Sequence, residues 1–261
     1  MKRRKILALG LSLLCVGVLF GGCGAKNQTS KVEGAVASEE KTTLIMATNA
    51  TFPPYEYVEN NEYEGIDIEI AQAIADELGL ELVIEDVEFG SIIAGVESGK
   101  FDMGMAGMTV TEERLQNVNF SDTYATAVQS VIVPEGSTIA SIDDITEDMK
   151  IGVQQDTTGD IYASDDYGDA VVRYKNGADA VQALVTGKVD CVIIDNEPAK
   201  AYVAANEGLI ILDSAYAEEE YAICIAKENE ELLTDINGAL AKLKADGTID
   251  AIVTKYIPTE D

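Results

Sequence analysis

The sequence predicts an α/β fold arranged as two lobes. Three observations carry that prediction. From residue 42 onward, short apolar runs of strand length alternate with segments whose apolar residues recur every three or four positions. Glycines stand at the ends of several of those helical segments. The alternation also comes in two blocks of similar size, the second opening around "VQSVIVPEGST". Such β–α alternation argues for mostly parallel sheets with helices on both faces.

In the first block, "TTLIMAT" is a strand, apolar and threonine-flanked. "NATFPPYEY" reads as a loop, because Pro53 and Pro54 forbid a regular helix or a central strand. "DIEIAQAIADELGL" is a helix, with Ile68, Ala71, Ile74, Ala75 and Leu78 at helical spacing and Gly79 as its C-cap. "ELVIEDV" is the next strand, "GSIIAGVESGK" a short helix ending at Gly99, and "FDMGMAG" a strand-like run. In the second block "KIGVQ", "VDCVIID" and "YAICIAK" read as strands. "TTGDIYASDDYG" begins a helix or turn, and "GADAVQALVTGK" and "EPAKAYVAAN" are helices. The tail after "YAICIAK" reads as two helices split by "ADGT".

The chain's first residues are set apart from this fold. Lys2, Arg3, Arg4 and Lys5 precede a short apolar run, Ile6 to Phe20, and then small residues before Cys23. This is the pattern of an export signal, and the run is too short and one-sided for an ordinary membrane span. Leu19 to Cys23 ("LFGGC") resembles a bacterial lipobox. The resemblance implies a signal peptide over 1–22, lipidation of Cys23, and a mature protein anchored on the outer face of the cell membrane. Residues 23–41, polar and charged, read as a flexible tether.

A net charge of −29 repels phosphate backbones, so nucleic-acid binding is not expected, nor is docking by charge on an anionic lipid surface. The chain has no histidine, which removes histidine-based catalysis and histidine metal ligands. There is no Walker loop, no GxSxG and no cluster of metal-ligand residues, so no cofactor is expected. Beyond the signal, only Cys191 and Cys224 remain, both within apolar runs. They read as small buried strand residues, although export would also permit one disulfide.

Five places hold residues that could bind a ligand. Phe52, Tyr55 and Tyr57 lie in the loop after the first strand, where open α/β sheets place their ligands. Phe89 follows another strand and falls at the same rim. "MAGMTVTEERLQNVNFS" holds Gly107, Thr109 and Thr111 and one of the two arginines found past the first residues, Arg114. Thr111 reads as an N-cap, with Glu112 and Glu113 in a first turn that favours negative charge. Arg114 would sit badly against that helix dipole unless its fork reaches across to an anion such as a carboxylate. In "GVQQDTTGD", Thr157, Thr158 and Gly159 offer hydroxyls and free N–H groups at a helix start. Asp195 ends an apolar strand, where it serves either as a cap or as a partner for an amine.

Taken together, these stretches resemble the polar amino-acid-binding proteins of bacterial ABC importers. The resemblance runs from about Thr42 to Pro258 through "ATFPPYEY", "YEGIDIEIAQAIADELG", "ESGKFDMGMAGMTVTEER", "VNFSDTY", "IGVQQDTTG", "VDCVIIDNEPA" and "NGALAKLKADGTIDAIVTKY". It implies a periplasmic-binding-protein-like type II fold with two hinge crossovers, lobe one from 42–130 and 223–261, lobe two from 131–222. It implies a monomer that captures a free L-amino acid and presents it to the ABC permease and ATPase subunits, without catalysis. By position, Arg114 would clamp the ligand α-carboxylate, assisted by Thr109, the backbone at Gly107, and Thr158. Asp195 would take the α-ammonium. Phe52, Phe89, Tyr55, Asn49 and Gln154 would surround the ligand side chain. Asp156 stands where many relatives have glycine, and Asn49 where several carry an acid. The amides at Asn49 and Gln154 favour a neutral polar ligand, while the rings and the negative field favour a basic one. The competing readings are a same-fold dehydratase acting on cyclohexadienyl or arogenate-type acids, and an amino-acid sensor module.

Overall fold

The computed structural model of the protein describes residues 41–258. The expected signal, Cys23 and the expected tether therefore lie outside the described residues. Among the described residues no helix is long and apolar enough to cross a membrane.

The chain opens with β1 (Thr43–Thr48), then a small three-stranded sheet of β2 (Thr51–Phe52), β3 (Glu56–Glu59) and β4 (Glu62–Glu64). Helix α1 (Ile66–Leu78) and strand β5 (Glu81–Asp86) follow. A 3-10 turn (Phe89–Ser91) leads into α2 (Ile92–Glu97) and β6 (Met103–Gly104). A second 3-10 turn (Arg114–Gln116) precedes β7 (Val118–Phe120) and the long β8 (Ala125–Pro134). The second half runs β9 (Ile151–Gln154), α3 (Thr158–Tyr167), β10 (Val171–Tyr174), α4 (Gly177–Val185), β11 (Cys191–Asp195), α5 (Asn196–Ala205), β12 (Leu209–Ile211) and β13 (Ala217–Tyr221). It then returns through β14 (Cys224–Ala226) to α6 (Glu230–Ala245) and α7 (Thr248–Tyr256).

Two larger sheets result, one per lobe. The first has the order β5-β1-β6-β14-β7, and the second β10-β9-β11-β8-β12 with β13 also paired to β8. In the first, β1 runs parallel to β5 and β6, and β14 is antiparallel to β6 and β7. In the second, β9 runs parallel to β10 and β11, while β8 is antiparallel to β11, β12 and β13. The chain leaves the first sheet between Phe120 and Ala125 and re-enters it between Tyr221 and Cys224. The crossing strands β8 and β13 lie side by side, with Ala125 opposite Tyr221.

Strand alternation explains how each sheet is covered on two faces. In β1, Leu44 and Met46 join the cluster under α1 and α6, whereas Ala47 faces the cluster with Ile92 and Val96 of α2. In the second sheet, Ile132, Val192 and Ile194 pack under α4 and α5, and Val131, Val133 and Ile193 face Ala163 of α3. Each such fully buried aliphatic side chain contributes about 1.5–3 kcal/mol of burial. Helix α1 ends as expected at Gly79, whose left-handed φ of 69° lets its N–H close on Ala75 and Asp76.

Two elements depart from the sequence reading. "NATFPPYEY" is not all loop, because β2 and β3 pair across it. The segment after Thr111 is a 3-10 turn rather than the start of an α-helix, so it has no macrodipole to oppose Arg114. Its N-cap position is Glu113 and not Thr111, although Thr111 Oγ1 still accepts the Arg114 N–H at 3.2 Å. A third strand segment, the glutamate-rich "AEEEY" of β13, has no element assigned in the sequence reading, and propensity alone disfavours a strand there. Cys191 and Cys224 are both free and buried, one in each large sheet. Burial pushes both thiols up to about 12, which leaves them unreactive.

Candidate functional site

The rims of the two sheets meet at a narrow, nearly filled pocket whose cavity measures about 10 Å³. The first lobe lines it with Asn49, Phe52, Glu56, Phe89, Ala106, Gly107 and Arg114, and the second with Gln154, Thr157, Thr158 and Asp195. These positions follow β1, β5, β6, β9 and β11, so five strand ends converge, as expected for a ligand crevice in an open α/β sheet.

Arg114 is buried, with its guanidinium carbon 5.3 Å from the Phe89 ring centre. Nη1 donates to the Thr109 carbonyl at 2.7 Å, and Nη2 to the Asp156 carbonyl of the other lobe at 3.2 Å. Among the described residues no carboxylate lies within 4.0 Å of it. Burial lowers its pKa, but a guanidinium keeps its charge in any protein setting. The other arginine among the described residues is accounted for: Arg173 Nε lies 2.9 Å from the Asp160 carboxylate.

On the far side, Thr157 caps α3 by accepting the Asp160 N–H and donating to the Gln154 carbonyl at 2.8 Å. The N–H groups of Thr158 and Gly159 stay outside the helix's own ladder. Asp195 ends β11. Its Oδ1 accepts from Tyr221 Oη and its Oδ2 from Gln129 Nε2 at 2.8 Å. Burial, and next the neighbouring Glu219, push its carboxyl up to about 7.

Gly107 sits between these groups with φ 51°, and a Cβ there would lie 3.0 Å from the Phe52 ring, so only glycine fits the bend and the contact. Its N–H donates at 2.8 Å to Asp67 Oδ2, which also accepts from Tyr124 Oη at 2.8 Å. Asp67 is wholly buried, and desolvation raises its carboxyl to about 7 despite those hydrogen bonds. Across the pocket, Gln154 Nε2 donates to Asn49 Oδ1 at 3.0 Å, and Asn49 Nδ2 donates to the Val87 carbonyl at 2.8 Å.

Of the residues to which the resemblance assigned a ligand contact, Asn49, Phe52, Phe89, Gly107, Arg114, Gln154, Thr158 and Asp195 share this pocket. Two stand elsewhere. Tyr55 packs in the core behind it, edge-on to Tyr221 at 5.1 Å between ring centres, because β2 and β3 turn its ring inward. Thr109 acts through its carbonyl on Arg114, and its hydroxyl donates to Glu219 at 3.1 Å instead of facing the pocket. Sequence reasoning missed Glu56, which lines the pocket, and the pair Gln129 and Tyr221, which hold Asp195. An acid two residues beyond a Pro-Pro turn at a strand end was the available signal for Glu56.

Residues 44–259 match the family of bacterial extracellular solute-binding proteins, family 3. The chain is 30% identical over 251 residues to the arginine-binding extracellular protein ArtP of Bacillus subtilis (strain 168), covering 94% of this chain and 95% of that protein. It is 30% identical over 266 residues to the ABC transporter glutamine-binding protein GlnH of the same organism, covering 97% of each. Among solved structures, an ancestral arginine-binding protein bound to arginine superposes with a TM-score of 0.79 at 40% identity, covering 84% of this chain and 99% of that one.

Proposed function

Since the chain belongs to the family 3 bacterial extracellular solute-binding proteins, we propose that it captures a free polar amino acid between its lobes for an ABC importer. One observation carries the reading. The pocket is lined by a buried cation from one lobe, Arg114, and a buried acid from the other, Asp195, and Arg114 has no carboxylate partner among the described residues. A zwitterion supplies what each lacks. Its carboxylate takes the Arg114 fork and the open N–H groups at Thr158, and its ammonium takes Asp195. Contact with both lobes at once makes binding favour the closed arrangement, hinged about β8 and β13. The closed form would be the one that a permease recognises. Lipidation at Cys23 would hold the protein at the outer face of the membrane as a monomer, with residues 23–41 as tether.

The test is a thermal-shift panel of the twenty amino acids with cystine, ornithine and polyamines, on protein first unfolded and refolded to strip any carried ligand. A specific ligand raises the melting temperature by mass action. A flat response across the panel overturns the reading. Glu56, an acid inside the pocket, is the one feature that favours the dehydratase alternative. That alternative requires turnover of a prephenate-like acid by the refolded protein, with the rate lost in Glu56→Gln.

A further inference from the structure

Alternation along β13 sorts its three glutamates. Glu218 and Glu220 are exposed, whereas Glu219 is buried on the same face as Tyr221. Glu219 lies opposite Ala127 of β8, one step along that face from Gln129, and Gln129 lies opposite Asp195 of β11. Register therefore brings a glutamate, an amide and an aspartate from three adjacent strands together in a buried place.

Gln129 Nε2 donates to both acids, to Asp195 Oδ2 at 2.8 Å and to Glu219 Oε2 at 3.0 Å. Turning the amide over would set its oxygen against two carboxylates, so its neighbours fix its orientation. The same Glu219 oxygen accepts from the Thr109 hydroxyl at 3.1 Å. The Thr109 backbone is bound to β13 as well, because the Val110 N–H donates to the Glu220 carbonyl and the Ala222 N–H to the Met108 carbonyl. Thr109's own carbonyl holds Arg114 Nη1 at 2.7 Å. A line of polar contacts thus runs from Arg114 through Thr109, Glu219 and Gln129 to Asp195. Its two ends line the pocket, and Glu219 and Gln129 stand behind it.

The two carboxylates lie within two hydrogen-bond lengths of each other. Among the described residues no lysine or arginine lies within 4.0 Å of either. Charging both in a buried place is costly. Burial, and next Glu219, raise the Asp195 carboxyl to about 7, while the hydrogen bonds from Tyr221 and Gln129 act the other way. Asp195 is also faced by Tyr55 and Glu56, by Arg114, and by Tyr162 of α3, whose hydroxyl reaches Glu219.

We propose that Glu219 is a positioning residue of the amino-acid clamp: from a crossing strand it fixes Thr109, whose carbonyl holds Arg114, and together with Gln129 it decides when Asp195 gives up its proton. The assignment rests on the amino-acid-binding reading above and gives a part in it to two residues outside the pocket. Without ligand, the Glu219 charge holds a proton on Asp195. An arriving α-ammonium sets an opposite charge against Asp195. The carboxyl O–H ionises, the proton passes to the buffer, and the carboxylate keeps the ammonium. Gln129 opposes Glu219, since a donor to the charged form favours that form.

The experiment is calorimetry on the refolded full chain, on Glu219→Gln and on Gln129→Met, at about pH 8 and about pH 6. The probes are L-arginine and L-glutamine, or the amino acid with the largest thermal shift if neither binds. Wild-type affinity should fall about tenfold between the two pH values. Glu219→Gln keeps an oxygen for Thr109 and Gln129 and removes the charge, so the fall should shrink to about threefold or less. Gln129→Met keeps the bulk and removes a donor to the Asp195 carboxylate, so the fall should grow to about 30-fold or more. Loss of packing alone would weaken binding alike at both pH values, whereas these two slopes move in opposite directions. Each slope decides by itself if the other variant does not fold. In the wild type, two buffers of different ionisation enthalpy should report proton release on binding, and its absence overturns the proposal without any variant. A wild-type slope retained in either folded variant overturns it too, while the amino-acid reading stands. If the wild type binds no amino acid, the reading and the assignment fall together.

Discussion

The guanidinium of Arg114 joins the two lobes, with Nη1 on the Thr109 carbonyl at 2.7 Å and Nη2 on the Asp156 carbonyl at 3.2 Å. Both partners are neutral, so the buried charge is solvated but not balanced. Arg114→Ala should abolish amino-acid binding by calorimetry while circular dichroism and the ligand-free melting curve stay close to wild type, because no structural ion pair is lost. Arg114→Lys should lose about 100-fold or more, since an ammonium cannot replace a two-pronged hydrogen-bonding fork. Retained affinity in Arg114→Ala would remove Arg114 from the clamp.

Asp195 gives affinity a pH dependence whose sign can be worked out. Burial and Glu219 hold its carboxyl up to about 7 without ligand, and a bound ammonium favours the charged form and lowers that value. Binding therefore releases a proton and tightens as pH rises. Affinity for a neutral amino acid such as glutamine should fall about tenfold from about pH 8 to about pH 6. Asp195→Asn should bind weakly with a flat profile over that range. A wild-type affinity that does not change with pH would contradict the assignment.

Asp67 predicts the opposite trend in stability. Its carboxyl is raised to about 7 in the fold against an ordinary 3.8, so the folded chain holds a proton that the unfolded chain has lost between those values. Ligand-free stability thus falls as pH rises through that window. Asp67→Asn keeps an oxygen for the Gly107 N–H and Tyr124 Oη and an amide to donate to Glu56, while removing the titration. Between about pH 5 and about pH 8, calorimetric melting of the variant should drop less than wild type, by about 1 kcal/mol or more, roughly 2–4 °C. Repulsion from the overall negative charge acts on both proteins and cancels in the comparison. Parallel curves would show that Asp67 does not titrate in this range.

The sequence made the central strands and amphipathic helices legible because their apolar residues follow a period that burial imposes. It also led to most of the pocket, since Arg114, Thr158 and Asp195 all stand next to a strand end or helix start. What it hid depends on pairing. β13 begins in "AEEEY", which reads as solvated, yet Glu219 is turned inward to accept from Thr109 and from Gln129 at 3.0 Å. Its strand form comes from lying against β8. Tyr55 and Glu56 are neighbours in one aromatic-rich turn, and only the β2–β3 register decides that the acid faces the pocket and the ring the core. The orientation of the Asn49 and Gln154 amides likewise depends on Val87, 38 residues away from Asn49 in the chain.

Tyr202 tests how much of closure the protein supplies by itself. Its Oη, on α5 of the second lobe, donates to the Thr51 carbonyl of the first at 2.6 Å, and its ring is buried. Gln154 to Asn49 and Lys175 to Glu88 also cross between the lobes, but the latter pair is solvent-exposed and contributes little. A bond that exists only when the lobes are together stabilises the closed form and leaves each lobe's own packing unaffected. Tyr202→Phe keeps the ring and removes about 1 kcal/mol from closure. Affinity should weaken about fivefold, nearly all of it as faster ligand release, with ligand-free stability little changed. Stopped-flow tyrosine fluorescence can follow the release, since the chain has 11 tyrosines and no tryptophan. Lys175→Ala is the control and should leave the release rate within about twofold. If Tyr202→Phe instead slows association and spares release, the hydroxyl contributes to the encounter with ligand and not to holding the lobes closed.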